Sequence, residues 1–192
     1  MNKAVKKSHT KGTKAVFFDR DGIINKDIGY VYKQEDFVFA DGIFEVLKFF
    51  KERGFLLLVV TNQSGIGRGF YTLEDFKKLS SYMQSQIKAR LGFKFDSIYF
   101  CPHSPEENCD CRKPKSAMID QATKDYHINL DESFIIGDKI TDMQAGQAGG
   151  VRHKIFVSKA FSSQIKGISN LHTLANLNEA REVINNILNP KI

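Results

Sequence analysis

Two carboxylates, Asp19 and Asp21, stand two residues apart where the apolar run Ala15-Val16-Phe17-Phe18 stops and Gly22 permits a sharp turn. Residues i and i+2 of an extended chain point the same way, so both acids aim at one point beyond the end of a strand. An isolated Asp-x-Asp is ordinarily a solvated acidic turn. Here the chain adds further reactive groups after later apolar runs: Thr61-Asn62, Arg112-Lys113 and Asp138-Lys139. Carboxylates, a hydroxyl, lysines and an arginine gathered in one place suit phosphoryl transfer. Carboxylate oxygens can hold Mg²⁺, which keeps several waters and reaches a substrate phosphate. Cations and loop amides match the three phosphoryl oxygens. One aspartate can attack phosphorus and form an aspartyl-phosphate. A second can protonate the leaving oxygen and later take a proton from water.

All three cysteines fall within a second constellation, Cys101-x-His103-x5-Cys109-x-Cys111. Four soft or borderline ligands in so short a stretch make the Cys₃His set of a structural zinc site. Buried free cysteines are the plain alternative, but three with a histidine this close favour the metal. With four protein ligands no position is left for a water to be activated, so the zinc orders a loop. Arg112 and Lys113 hang directly from that loop.

The elements needed to position these groups are readable in order. Ala15–Phe18, the run 55–60, the run 96–100, Ser133–Asp138 and Lys154–Val157 read as strands, and their continuous apolar character suits a parallel sheet covered on both faces. Ile43, Val46, Leu47 and Phe50 keep helical spacing, with Gly54 just past the end. Phe76, Leu79, Met83 and Ile87 line a second helix, which Thr72 and Asp75 cap and Gly92 stops. A third helix spans about 116–126. Thr141 can cap a fourth, and Ala180, Val183, Ile184, Ile187 and Leu188 mark a last one. The alternation predicts an α/β fold with a doubly wound parallel sheet and ligands at the carboxyl ends of its strands. Residues 23–40 read as a loop with a short turn or hairpin folded over the site. Stretch 61–69 reads as a glycine-rich loop able to cradle an anion. Residues 158–176 give no clear pattern, and no segment is long enough for a cap domain.

Composition excludes several classes. The chain has 192 residues, 42% hydrophobic and 26% charged, ordinary for a soluble globular domain. No apolar stretch approaches a membrane span and no apolar leader is present, which predicts a cytoplasmic protein without membrane contact. Five lysines and no acid in residues 1–14 account for nearly all of the net charge of +6. The basic character is therefore that of an arm, residues 1–13, ahead of a single domain, 14–192. Nothing interleaves aromatics with those lysines, so no nucleic-acid partner is expected.

Taken together, the chain resembles the haloacid dehalogenase (HAD) superfamily of phosphatases. Phe17-Phe18-Asp19-Arg20-Asp21-Gly22 is similar to its first motif and Val59-Val60-Thr61-Asn62 to its second. Arg112-Lys113-Pro114 is similar to its lysine motif, and Ile135-Ile136-Gly137-Asp138 with Asp142 to its acidic fourth. The resemblance implies a Rossmann-like core and gives the residues roles. Asp19 becomes the nucleophile and Asp21 the general acid and base. Asp19, the Asp21 main-chain carbonyl and Asp138 become the Mg²⁺ ligands, and Thr61 and Lys113 steady the phosphoryl group. With the zinc loop, the chain resembles the branch of heptose 1,7-bisphosphate phosphatases and histidinol-phosphatases. Asp27-Ile28-Gly29-Tyr30 and Thr61-Asn62-Gln63-Ser64-Gly65-Ile66-Gly67-Arg68-Gly69 look like the heptose enzymes. That likeness implies substrate contacts from Asp27, Ile28, Gly29, Tyr30, Asn62, Gln63 and Ser64, with Lys139 and Arg112. Histidinol-phosphatases typically carry Asp where Ser64 stands. Ile23 departs from the branch, which usually has Thr there, and the zinc loop is short. The implied substrate is a phosphorylated sugar, handled by a monomer in precursor supply for lipopolysaccharide. Histidinol phosphate is the rival substrate. A zinc-loop binding module without catalysis is the rival class, which retention of both Asp19 and Asp21 disfavours. Plainer readings stand beside some residues: Asp142 as a helix-start acid, Lys139 as a surface lysine, Arg68 as a loop residue, Tyr30 and Tyr32 as lid packing. His127, His153 and His172 lack partners at ligand spacing.

Overall fold

The computed structural model describes residues 12–158, 165 and 167–189. Among these, six parallel strands form one sheet in the order β3-β2-β1-β4-β5-β6. They are β1 (Ala15–Phe18), β2 (Leu56–Asn62), β3 (Ser97–Cys101), β4 (Phe134–Gly137), β5 (His153–Val157) and β6 (Leu171–Leu174). The helices are α1 (Ile43–Glu52), α2 (Ser64–Gly67), α3 (Leu73–Leu91), α4 (Ala117–Tyr126), α5 (Ile140–Ala148) and α6 (Ala180–Leu188).

The central strands β1, β2 and β4 are continuously apolar because each is buried on both faces. Val16, Phe18, Leu57, Val59, Phe134 and Ile136 pack with Leu47 and Phe50 of α1, Leu79 and Met83 of α3 and Ile184 of α6. Ala15, Phe17, Leu58, Val60 and Ile135 face the other way, toward Met118, Ile119 and Ala122 of α4 and Met143 and Ala145 of α5. Each large side chain so buried contributes about 1.5–3 kcal/mol. The strand order sets β3, β2, β1 and β4 side by side, so their carboxyl ends form one row. Every strand end that carries a reactive group lies in it.

Local signals explain the element ends. Thr72 and Asp75 form a reciprocal capping box on α3, and Gly92 closes that helix at φ 81°. α5 departs from expectation: it starts at Ile140, ahead of Thr141, and Asp142 Oδ2 accepts from the Lys139 N–H at 3.0 Å. β2 runs on through Thr61 and Asn62, because β3 continues to Cys101 and offers them partners. β6, within a stretch that gave no pattern, is an edge strand of mixed polarity, Leu-His-Thr-Leu, which carries no clean alternation. Residues 23–40 contain no helix or strand; two isolated bridges at Asn25 replace the expected hairpin. Val31 and Phe37 anchor that segment in the core. Of the expected N-terminal arm, residues 1–11 lie outside the described residues, while Thr13 bridges to Ile128 and donates to His127 O at 3.0 Å. Among the described residues, no helix is long and apolar enough to cross a membrane.

Candidate active site

Lys113 is the hub of the row of strand ends. Its ammonium lies 2.6 Å from Asp142 Oδ1 and 3.0 Å from Asp19 Oδ1, and donates to Val60 O at 2.7 Å. All three side chains are nearly inaccessible to solvent. Such a buried charge is held only when fully paired, and removing one partner typically costs about 3–5 kcal/mol. The main chain of Lys113 is held as firmly: Asn62 Oδ1 accepts from its N–H at 3.0 Å, and Asn62 Nδ2 donates to its carbonyl at 3.1 Å. Asn62, at the end of β2, thus fastens the loop that follows the cysteines. Burial works against the Lys113 charge, but Asp142 and Asp19 outweigh it and hold its pKa above the ordinary lysine value. Burial pushes Asp19 upward, opposed by Lys113.

Asp21 has a different setting. The Arg20 guanidinium grips its carboxylate with Nε and Nη2 at 2.9–3.2 Å, Asn25 Nδ2 donates at 3.0 Å and Gln63 Nε2 at 3.0 Å. Arg20 is itself buried, and its Nη2 also donates to Val31 O at 2.8 Å, which ties segment 23–40 to the site. Asp21 stays partly exposed and faces the cavity. Gly22, at φ 91°, gives room for all this: a Cβ there would lie 2.2 Å from Asp138 Oδ2.

Asp138 makes the case for a cation. Its Oδ1 is buried without a hydrogen-bond partner, which is costly for a carboxylate. Burial first, then the neighbouring Asp19 charge, pushes its pKa up to about 7. Asp19, Asp138 and Asp142 each offer an oxygen within 4.8 Å of the others. Hard divalent cations take such oxygen sets, and a cation there would satisfy the orphaned oxygen and relieve the repulsion. Both Asp142 oxygens are engaged, Oδ1 by Lys113 and Oδ2 by the Lys139 N–H, whereas Lys113 and the Arg20 N–H both meet Oδ1 of Asp19, which leaves Asp19 Oδ2 and Asp138 as the available pair.

A cavity of about 500 Å³ opens over these groups, lined among others by Asp19, Asp21, Asn62, Ser64, Arg112 and Lys139. A groove of about 570 Å³ lies elsewhere, among Lys48, Arg53 and Arg90 beside α1 and α3, and holds none of the strand-end residues. Arg112 Nη1 donates to His103 O at 3.3 Å, so the guanidinium is steered by the cysteine loop while it borders the cavity. Lys139 pairs with Asp27 at 3.1 Å, bridging segment 23–40 to the start of α5. Burial lowers the Lys139 pKa, but Asp138, Asp19 and Asp27 outweigh it and raise it.

Cys101, His103, Cys109 and Cys111 converge with all ligand atoms within 4.8 Å and can hold a metal; the three cysteines are free thiols. Thiolate and imidazole donors in this number suit zinc. The loop is tied to the second strand end as well: Gln63 N donates to Cys101 O at 2.7 Å and Gly67 N to Pro102 O at 2.8 Å.

Most residues singled out in the sequence come together, but three groups differ from expectation. Stretch 61–69 is no open anion cradle. It holds the short helix α2, and the amides of Gln63, Ile66, Gly67, Arg68, Gly69 and Phe70 all donate to protein carbonyls. Gly65 and Gly67 serve close packing, since a Cβ on Gly65 would strike the Tyr71 ring and one on Gly67 the main chain of Pro102 and Ser104. Thr61 and Gln63 are buried behind the cavity, with Gln63 Nε2 donating to Thr61 Oγ1 at 2.8 Å. Ile28, Gly29 and Tyr30 lie on the outer part of segment 23–40, Ile28 67% exposed and Tyr30 packed edge-on against Phe70. Arg20, Asn25 and Tyr71 escaped sequence reading, and Asp142 was weighed there equally as a helix-start acid. Arg20 carried a signal in its place between the two aspartates; Asn25 and Tyr71 carried none.

Comparison with known proteins gives concordant results. Residues 110–180 match the HAD-hydrolase-like family. The chain is 56% identical over 144 residues to the D-glycero-beta-D-manno-heptose-1,7-bisphosphate 7-phosphatase of Helicobacter pylori, covering 75% of this chain and 83% of that protein. It is 48% identical over 147 residues to the D-glycero-alpha-D-manno-heptose-1,7-bisphosphate 7-phosphatase of Campylobacter jejuni, covering 77% and 84%. Among solved structures, the D,D-heptose 1,7-bisphosphate phosphatase of B. bronchiseptica, complexed with magnesium and phosphate, superposes with a TM-score of 0.78 at 23% identity, covering 91% of this chain and 99% of that one.

Proposed function

Because this chain belongs to the HAD-like phosphatase family, we propose that it hydrolyses the 7-phosphate of D-glycero-D-manno-heptose 1,7-bisphosphate and leaves the 1-phosphate in place. The observation that carries the substrate is the 56% identity to a heptose bisphosphate phosphatase over most of both chains. The activity would serve the supply of nucleotide-heptose for lipopolysaccharide. Cavity chemistry supports the same reading. Arg112 and Lys139 border it, while its lining carboxylates Asp19, Asp21 and Asp142 are all tied to Lys113 or Arg20. An anionic sugar meets cations there. Histidinol phosphate, with its amine and imidazole, would meet the Arg112 and Lys139 cations there.

In this reading Asp19 attacks phosphorus and carries the phosphoryl group as an aspartyl-phosphate. Lys113 opposes the burial that works against the Asp19 charge and screens the phosphoryl oxygens, while Asp142 and Asn62 hold Lys113 in place. Asp21 gives a proton to the departing sugar oxygen and then takes one from the water that cleaves the intermediate. Thr61 donates its hydroxyl hydrogen toward the phosphoryl group. Asp19, Asp138 and the Asp21 carbonyl would hold Mg²⁺, which when bound supplies positive charge against the oxygens of the transferring group. Zinc on the cysteine loop is structural. Segment 23–40, with Asp27, Ile28, Gly29 and Tyr30, forms the sugar side of the entrance. Arg112 takes the phosphate that is not cleaved, since its planar fork suits a phosphate at fixed distance from the reacting one. We propose that it acts as a monomer with a single domain over residues 14–192. We place it in the cytoplasm, acting on a small molecule and not on nucleic acid or membrane.

The test ranks wild-type kcat/KM, with Mg²⁺ saturating, for the beta and alpha anomers of heptose 1,7-bisphosphate and for histidinol phosphate. One of the two anomers is expected to lead. Faster hydrolysis of histidinol phosphate would overturn the substrate assignment.

A further inference from the structure

Gln63 stands in a stretch whose resemblance implies substrate contact, yet its side chain is only 1% exposed and does not line the cavity. Both hydrogens of its amide are already used. One goes to Asp21 Oδ2 at 3.0 Å, the other to Thr61 Oγ1 at 2.8 Å. Its carbonyl oxygen accepts from Tyr71 Oη at 2.7 Å. An amide has a donor end and an acceptor end. Turned over, this one would set its oxygen against the Asp21 carboxylate and its nitrogen against the Tyr71 hydroxyl. The Tyr71 hydrogen therefore selects the orientation in which Gln63 serves both site residues.

Tyr71 is built in for this contact. It is 6% exposed, its ring stacks on Tyr32 of segment 23–40 at 5.3 Å and 10°, and Gly65 leaves the space the ring fills. Burial raises the phenol pKa to about 12, so the hydroxyl stays a donor at working pH. The bond from Gln63 has a consequence at Thr61 too. It occupies a lone pair of Oγ1 and leaves the hydroxyl hydrogen free to point at an anion.

We propose that Gln63 is a positioning residue that holds the proton-transfer group Asp21 and the hydroxyl of Thr61 in one frame, and that Tyr71 locks its amide. The inference rests on the phosphatase reading given above, but not on which sugar is cleaved. Gln63 touches neither substrate nor phosphoryl group; it fixes where the Asp21 proton is delivered. Losing that alignment should slow departure of a poor leaving group far more than that of a good one, because only the poor one needs the proton.

The experiment compares kcat/KM for phenyl phosphate and p-nitrophenyl phosphate, with Mg²⁺ saturating, in wild type, Gln63→Met, Tyr71→Phe and the double variant. This ratio reports events up to leaving-group departure, and neither ester carries a sugar that Gln63 could touch. Gln63→Met is expected to lower the value for phenyl phosphate about tenfold and that for p-nitrophenyl phosphate less than threefold, a partial loss of a proton-transfer term worth about 10²–10⁴. Tyr71→Phe should shift the ratio in the same direction and less. The double variant should be no worse than Gln63→Met, because both changes act through one route. Should Gln63→Met not fold, Tyr71→Phe carries the test alone, as it removes a single oxygen. An unchanged phenyl to p-nitrophenyl ratio, or fully additive losses, would overturn the proposal. Failure of the heptose assignment shows instead in the wild-type substrate ranking, and leaves this ratio untouched.

Discussion

The chemistry of single residues turns on how two aspartates two positions apart receive different surroundings. Asp19 faces a buried ammonium at 3.0 Å, while Asp21 is gripped by a guanidinium and two amides at the cavity wall. The first suits an ionised nucleophile and the second an oriented proton carrier. Asp19→Asn should therefore bind substrate and fold but retain less than about one hundredth of wild-type kcat, since an amide oxygen is a far weaker nucleophile. Steady-state assays beside a thermal melt check this; a tenth of the activity surviving would rule out the covalent route. The Arg112 guanidinium donates to His103 O at 3.3 Å and borders the cavity. Arg112→Ala should cost about 1.5–3 kcal/mol in kcat/KM for the bisphosphate, the range for a hydrogen bond to a charged group. A monophosphate substrate should lose much less. Equal losses on both would assign Arg112 to the chemistry or to the fold of its loop.

Among the elements, the loop from Cys101 to Lys113 depends most on something other than a core. Its residues 102–112 include no fully buried large apolar side chain, and a metal held by its four converging ligand atoms would tie it together. Zinc binding energy is then folding energy for the loop. Protein purified without chelator should hold one zinc per chain by metal analysis. Stripping the zinc, or Cys109→Ser, should lower the melting temperature and open the loop to proteolysis, and added Mg²⁺ should not reverse either effect. Free exchange of the zinc in the presence of substrate would contradict a structural role. α3 depends on local chemistry instead. Thr72 Oγ1 accepts from the Asp75 N–H at 3.1 Å, and Asp75 Oδ2 accepts from the Thr72 N–H at 2.8 Å. Thr72→Ala should lower the unfolding free energy by about 1 kcal/mol, read from urea denaturation at pH 7. A change near zero would mean that packing of Phe76, Leu79 and Met83 alone fixes the helix start.

At the scale of the whole molecule, the sheet is both the scaffold and a source of pH sensitivity. His153 opens β5 and stacks on Phe134 of β4 at 4.6 Å. Burial, with lesser contributions from Arg152, His172 and Lys154, lowers its pKa to about 4, against about 6.5 for an unfolded imidazole. Between those values the unfolded chain binds a proton that the folded chain refuses. Stability must then fall as pH drops from about 6.5 toward 4, and its contribution is flat above 6.5. His153→Phe keeps a ring against Phe134 and removes the titration. Its urea midpoint should fall less than that of wild type between pH 7 and pH 5. Parallel falls in both proteins would exclude His153 as a source. The same scale explains how a short chain serves a polar substrate without a cap domain. Segment 23–40 is pinned by Val31 and Phe37 in the core, by Arg20 to Val31 O and by Asp27 to Lys139, so it screens one side of the cavity from a fixed position.

The alternation of elements, the strand ends that carry chemistry and the candidate donors of the cysteine loop are legible in the chain alone. These are local properties: an apolar run long enough for a buried strand, a capping pair three residues apart, four soft donors within one loop. They also sufficed to find β1 to β5 along the chain and to bring Asp19, Asp21, Arg112, Lys113 and Asp138 into one account. Which of these groups line the cavity and which face one another depends on contacts between distant residues. Asn62 and Gln63 read alike in the chain, yet one fastens Lys113 and the other is sealed behind Asp21 and Thr61. Asp142 fits a helix start on its own; its pairing with Lys113 at 2.6 Å exists only because β3's loop crosses to the end of β4. Hydrogen bonds and ion pairs between distant residues depend on strand order and register, and neither leaves a periodic trace in the chain. Edge strand β6 is illegible because its Leu-His-Thr-Leu run is short and of mixed polarity, whereas the other edge strand, β3, keeps Ile98, Tyr99 and Phe100 in a row.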